Sequence, residues 1–322
     1  MIPSLVTVAF STHRPETIAL TAASTARHEA IVLEEPPDPR LKAMLDGRLG
    51  IEEYLLPLDL EYPEFSRALC ALLRNLHREG RRIYQVEPFL EVLIEIHERF
   101  AAGAHPASVD ADPRLAPVYR AEKKATGALL GFYEAAGAGD FDETVAAVKR
   151  FARADAERFR LRDELRAEAV AAITAGHAAT WVEAGEIHQA LWSSLRRRLA
   201  GGCKLQRCFV LAPVYRATAG RPHLFGPGDL LTLRYVFRPD LPDRPMDDRL
   251  AAASLVYNKL LSKEEIVPAA GAFPHTRNEI DTIRFVRRLS LEGCRRLFTD
   301  LHRVPTRTAQ RMVGGLSGPP AV

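Results

Sequence analysis

Four short apolar runs in this 322-residue chain each end in a histidine or a glutamate. The run Ser4–Phe10 leads through Ser11 and Thr12 to His13. Ala30–Leu33 leads to the pair Glu34 and Glu35. A run near 81–86 leads to Glu87, just before Pro88. Ala178–Val182 leads to Glu183 and then, through Gly185 and Glu186, to His188. Imidazole and carboxylate together are the donor set of a hydrolytic metal centre, and equally of metal-free general acid–base catalysis. Taken singly, His13 reads as a strand-end histidine capping a carbonyl, and His188 as a residue in the first turn of a helix. Their combination points to a site. A carboxylate pair such as Glu34 and Glu35 is costly at a strand end unless it is solvated, paired or bound to a cation. Only one of two adjacent strand residues can face a given side, and the sequence reading gives that role to Glu34 ahead of Glu35.

Arg162 stands out on a helical stretch. Val145, Val148, Ala152, Phe159, Leu165, Ala169 and Ala172 form one stripe at helical spacing, and Arg162 falls inside it. A charge there should be paired, should bind an anion, or should snorkel at the stripe's edge. Asp163 adjoins it. The sequence offers no other strong chemical signature. Ser11 lacks a G-x-S-x-G elbow, and Gly137-Ala-Gly139 follows no strand, so neither a serine nucleophile nor a phosphate loop is expected.

These residues need a frame that brings strand ends together. Runs near 4–10, 29–34, 81–86, 178–184 and 204–211 are rich in Val, Ile, Leu and Ala and bounded by turns, and apolar runs of this length suit strands buried on both faces of a parallel sheet. Helical patterns lie between them, near 16–27 and 63–78, which implies βαβ units. The fold class is therefore α/β: a mostly parallel sheet flanked by helices. Ligands in such sheets bind just beyond the carboxyl ends of the strands. Residues 88–176 break the rhythm with nearly all helix formers, and read as a helical insertion between the third and fourth strands. Within it, Asp140 with Glu143 reads as a capping box and Gly176 as the end of the long helix. The domain reading is an α/β core over 1–211, an extension of that domain over 212–313, and a disordered tail over 314–322. In the extension, 230–237 reads as a strand, and 249–261 and 278–301 as helices.

Composition sets limits. The 44 basic and 41 acidic side chains leave a formal charge of +3, which gives no reason to expect nucleic acid as a partner. The basic run from Arg284 to Arg311 reads as a solvated helix face. No apolar stretch approaches the roughly 20 residues of a membrane span, and the first residues lack the pattern of a signal peptide. Cys70, Cys203, Cys208 and Cys294 form no CxxC pair and read as reduced thiols, so a cytoplasmic location is expected.

The set Phe10-Ser-Thr-His13, Leu33-Glu34-Glu35, Arg162-Asp163 and Gly185-Glu-Ile-His188 resembles, in order and spacing, the TraB/PrgY–TIKI group and its ChaN-like and erythromycin-esterase-like relatives. The resemblance spans roughly residues 4–200. Phe10 stands where the group usually has glycine. The resemblance implies a hydrolase of metal-dependent peptidase or esterase type. Its site would lie at the strand carboxyl ends and act on a small-molecule or peptide substrate. His13, Glu34 and His188 would act as bases or hold a divalent Mn, Zn or Co ion. Glu35, Glu87, Asp163 and Glu186 would support them. Arg162 would hold a substrate carboxylate or a developing oxyanion. The alternative is a non-catalytic ligand-binding or signalling protein using the same pocket.

Overall fold

Runs of branched and small apolar residues build the centre of the sheet, because a strand covered on both faces has no side to turn to water. The computed structural model describes residues 4–269 and 271–314. Its strands are β1 (Ser4–Ser11), β2 (Ala30–Leu33), β3 (Arg82–Gln85), β4 (Ala179–Gly185) and β5 (Cys203–Phe209). They form one all-parallel sheet in the order β3-β2-β4-β1-β5. β1 and β4 are neighbours, with Ala9 opposite Glu183 and Ser11 opposite Gly185. The chain leaves β1 toward β2 and leaves β4 toward β5, in opposite directions along the sheet. The gap between the carboxyl ends of β1 and β4 is therefore the switch point at which such sheets bind ligands.

The helices are α1 (Ile18–Thr25), α2 (Leu41–Leu45), α3 (Ile51–Leu55), α4 (Pro63–Arg78), α5 (Pro88–Ala101), α6 (Pro106–Ala111), α7 (Ala116–Ala138), α8 (Phe141–Thr174) and α9 (Gln189–Arg198). After them come α10 (Ala212–Ala219), α11 (Pro227–Phe237), α12 (Pro245–Leu260), α13 (Pro274–Val286), α14 (Leu291–Leu301) and α15 (Thr306–Val313). Helices α5 to α8 make the helical insertion between the third and fourth strands. None of the described helices is long and apolar enough to cross a membrane.

Two compact units result. One comprises Met1–His97, Arg162–Arg216 and Glu265–Phe273, and the other Glu98–Leu161, Ala217–Glu264 and Pro274–Val322. The first holds the sheet. Strand alternation divides its core in two. Ala9, Ile31, Leu33 and Trp181 face α2, α3 and α4, with Tyr54, Phe65, Leu69 and Leu73 opposite them. Val6, Val8, Phe10, Val32, Val182 and Ala184 face the later part of α8 and α9, meeting Ala167, Val170, Leu191 and Leu195.

The second unit is helical among its described residues. Helix α12 packs against α11, α13, α14 and α15, and so buries Ala251, Ala252, Val256, Tyr257 and Leu260 around most of its circumference. Much of the region after 212, read from sequence as an extension of the α/β domain, thus belongs with the helical insertion. Residues 230–237 form a helix and not the expected strand. Their β-branched and aromatic content suggests a strand, but Pro227 at the helix start fixes a helical φ, and packing against α12 decides the rest. Asp140 does cap α8, accepting from the Glu143 amide at 3.1 Å, while the Glu143 side chain pairs with Arg150. The left-handed glycine of this region is Gly139, with φ 79°, at the end of α7; Gly176 has no such conformation. Of the basic run, Arg295 pairs with Asp142 and Arg307 with Glu264. The tail expected to be disordered lies, beyond Gly314, outside the described residues.

Candidate functional site

The strand-end residues separate into two groups according to which face of the sheet they continue. Glu34 follows Val32 toward α8. Glu35 follows Ile31 and Leu33 toward α4. Glu183 follows Trp181 toward α4 as well, and His13 continues the face of Ala9 and Ser11.

On the α8 side a buried ionic network forms. Arg162 contacts Glu34 Oε1 at 3.0 Å through Nη2 and Glu87 Oε1 at 3.2 Å through Nε. Arg166, one turn later and fully buried, donates to the carbonyls of Val86 at 2.9 Å and Glu183 at 2.7 Å. It also lies 3.5 Å from Glu34 and 3.6 Å from Glu87. His188 is held by both ring nitrogens, Nε2 at 2.9 Å from Glu34 and Nδ1 at 2.5 Å from Asp163. Asp163 in turn accepts from the Leu191 amide at 2.9 Å, at the start of α9. The Gly185 amide donates to Glu34 Oε2 at 2.5 Å. A Cβ on Gly185 would stand 3.3 Å from the His188 ring, so the close approach needs glycine.

Charges decide the protonation states. Burial alone would push Glu34 up, but His188, Arg166 and Arg162 hold it well below the usual carboxylate range. Burial alone would lower His188, but Glu34 and Asp163 raise it to about 9, so it is an imidazolium at neutral pH. Burial also raises Glu87 despite the neighbouring arginines. Stability should follow these shifts. The His188 contribution is complete below its unfolded value of 6.5 and is lost as pH rises through about 9. Glu87, also raised, loses its contribution earlier, as pH rises from 4.5 through its raised value, which draws the maximum toward the acid end. The Glu34 contribution is complete above 4.5 and is lost as pH falls through its depressed value. Thermal stability should therefore be greatest between pH 4.5 and 6.5 and decline toward pH 9. In His188→Gln the alkaline decline should flatten. A parent melting temperature that rises between pH 6.5 and 9 would contradict the pairing.

On the α4 side lies a cavity of about 250 Å³. His13 and Glu35 stand at its strand-end side. Leu41, Leu55, Leu58, Leu60, Leu69 and Leu73 make most of its wall, with Tyr54, Tyr62 and Phe65. The half-exposed His13 ring stacks on Phe65, with centroids 5.0 Å apart and planes at 14°. Its Nε2 is 3.8 Å from Oε1 of the buried Glu183, whose other oxygen accepts from the Glu34 amide at 3.1 Å. Gln85 Nε2 donates to Glu35 Oε2 at 2.8 Å, and its Oε1 accepts from the Asp38 amide at 2.8 Å, which fixes the glutamine and so the glutamate. Burial, and then the charge of Glu183, push Glu35 up. Phe65 is set by its own helix start. The Glu265 carboxylate accepts from the amides of Glu64 at 2.9 Å and Phe65 at 2.8 Å, capping α4.

The structure thus joins Glu34, Glu87, Arg162, Asp163 and His188 in one network. It puts His13 and Glu35 at the cavity. Among the described residues no three His, Cys, Asp or Glu side chains converge as a metal-ligand set. His188 is held by Glu34 and Asp163 while His13 faces Glu183 and Phe65, so the expected set His13, Glu34 and His188 is divided between the two faces of the sheet. Arg162 is occupied by Glu34 and Glu87. Sequence reasoning placed Glu183 at a strand end without a role, and it missed Arg166, Gln85 and the wall from α2 to α4. Arg166 carried a signal, since it lies one turn from Arg162 beside Ala167 and Val170.

Fold and site define an open α/β protein with a ligand-sized cavity at the switch point of a parallel sheet, above a buried ionic network. The chain is 31% identical over 294 residues to a protein of Archaeoglobus fulgidus that carries the description "Uncharacterized protein"; the match covers 90% of this chain and 97% of the relative. The chain belongs to the family of that archaeal protein. No family model matches it, and no solved structure does.

Proposed function

We propose that the protein is a hydrolase whose working groups are His13, Glu35 and Glu183, acting by general acid–base catalysis. The relationship to the TraB/PrgY–TIKI group and a cytoplasmic location are parts of the same proposal. The observation that carries it is the half-exposed His13 beside the buried Glu183 carboxylate, at a cavity that Glu35 also lines. Glu183, 3.8 Å from Nε2, faces that nitrogen and leaves Nδ1 to act on water. Nδ1 of His13 then takes a proton from water as the water oxygen bonds to the carbonyl carbon. The acyl–heteroatom bond breaks, and the leaving heteroatom takes a proton from Glu35, whose raised pKa suits it to that role. His13 returns its proton to Glu35 through solvent. The long His13–Glu183 separation is of the kind that closes when a substrate excludes water.

Turnover against a panel of esters and short peptides, with chelator and with added Mn, Zn or Co, tests the reading. The expected result is hydrolysis of part of the panel at a rate the chelator leaves unchanged. Turnover that vanishes with chelator and returns with one metal would overturn the metal-free mechanism. Saturable binding with no turnover of any member would favour a ligand-binding protein.

A further inference from the structure

The cavity also bears on what kind of molecule fits it. Its wall is leucine-rich, so the part of a ligand lying there is apolar. Asp59 and Glu61 lie in its lining, in the segment between α3 and α4, and among the described residues no lysine or arginine does; Glu35, the proton donor of the proposed reaction, and His13 stand at the strand ends. Asp59 and Glu61 are exposed and so mark the opening, while Glu35 is largely covered. Two guanidinium groups stack on wall tyrosines. Arg14 lies 4.0 Å from the centroid of Tyr62, and Arg40 lies 5.2 Å from that of Tyr54 and is paired with Asp38. Tyr62 donates its hydroxyl to Glu61. Carboxylates around a cleft with low-dielectric walls repel anions and concentrate cations. The volume of about 250 Å³ lies just under the range that holds drug-sized ligands, so the ligand is small.

We propose that the substrate is a small apolar amine bearing an acyl bond. Its carbonyl sits between His13 and Glu35, its apolar part lies along the leucines, and its ammonium meets Asp59 and Glu61. This rests on the reading of the cavity as the working site. The chemistry is the hydrolysis described above; the ammonium takes no part in bond making and only fixes the orientation. Free carboxylates and phosphates are excluded as substrates.

The test is a titration of the intact protein with hexylamine, hexanol and hexanoate, which share the apolar part and differ in charge. Two exposed carboxylates, each worth on the order of threefold, should make hexylamine bind roughly three to ten times more tightly than hexanol. Hexanoate should bind most weakly, and the spread should shrink at high salt. In the double variant Asp59→Asn with Glu61→Gln, hexylamine should fall to about the affinity of hexanol. Hexanol should bind as in the parent, which shows that the cavity is intact. The proposal is overturned if hexanoate binds as tightly as hexylamine, if the amine preference survives in the double variant, or if none of the three binds. The titration reads occupancy without turnover. Amine selectivity without hydrolysis of any amine ester would leave the binding class standing and remove the hydrolase reading. Hydrolysis of neutral or anionic esters without amine selectivity would do the reverse.

Discussion

Replacing Arg166 by methionine should lower stability by about 3–5 kcal/mol, the cost of removing one member of a buried ionic group. Arg166 is fully buried and serves four acceptors: the carbonyls of Val86 and Glu183 and the carboxylates of Glu34 and Glu87. Methionine fills similar space but supplies no donor. Two buried carbonyls lose this donor, and Glu34 and Glu87 lose one of the cations that face them. The same change at Arg162 should cost less, because that side chain is 20% exposed and water can replace part of what is lost. Urea unfolding of the two variants measures the difference. A loss below about 1 kcal/mol for Arg166→Met, or a larger loss at Arg162, would mean that the network is not what holds α8 to the strand ends.

Replacing His13 by alanine should remove most turnover, roughly 10²- to 10⁴-fold, while the melting temperature stays within a few degrees of the parent. The ring is half-exposed and stacks only on Phe65, so its loss opens no cavity in the core. Glu35→Gln should cost turnover in the same range, because the amide keeps the size and the contact with Gln85 but has no proton to give. Glu34→Gln should instead appear first as lost stability, because Glu34 serves His188, both arginines and the Gly185 amide. The sequence reading ranked Glu34 above Glu35; the proposed mechanism takes the opposite order. An enzyme in which Glu35→Gln works at the parent rate while Glu34→Gln is stable and inactive would return the chemistry to the α8 side.

The three central strands were legible because each is an apolar run closed by a turn, and burial on both faces is what such runs are for. The helical insertion was legible for the complementary reason, a long stretch of helix formers with one apolar stripe. Arg162 was found because a charge interrupted that stripe, and the structure supplies carboxylates to it. What the reading missed came from treating the strand ends as one set. Alternation was applied to Glu34 and Glu35 but not across strands, where register decides which ends share a face. Val32 and Glu34 alternate with Leu33 and Glu35, and that alone separates the network from the cavity. The register of β1 on β4, which brings Glu183 to the face of Ala9, is a pairing no single segment encodes. Helices α2 and α3 are five residues each, too short for a periodic signal, so the cavity wall they form was invisible. The stretch 230–237 shows the opposite failure, since its residues favour a strand while Pro227 and the packing of α12 enforce a helix.

The central claim is that chemistry belongs to His13 and the α4-side cavity, with His188 kept as a buried structural cation. Carbethoxylation of the native protein, followed residue by residue by mass spectrometry alongside hydrolysis of an ester from the panel, tests it most directly. His13 is half-exposed and His188 is 4% exposed and protonated, so only His13 of this pair should react in the folded state. The account predicts that activity falls in step with the His13 adduct while His188 remains unmodified. Full activity with His13 completely modified, or loss that follows modification of His188, would contradict it.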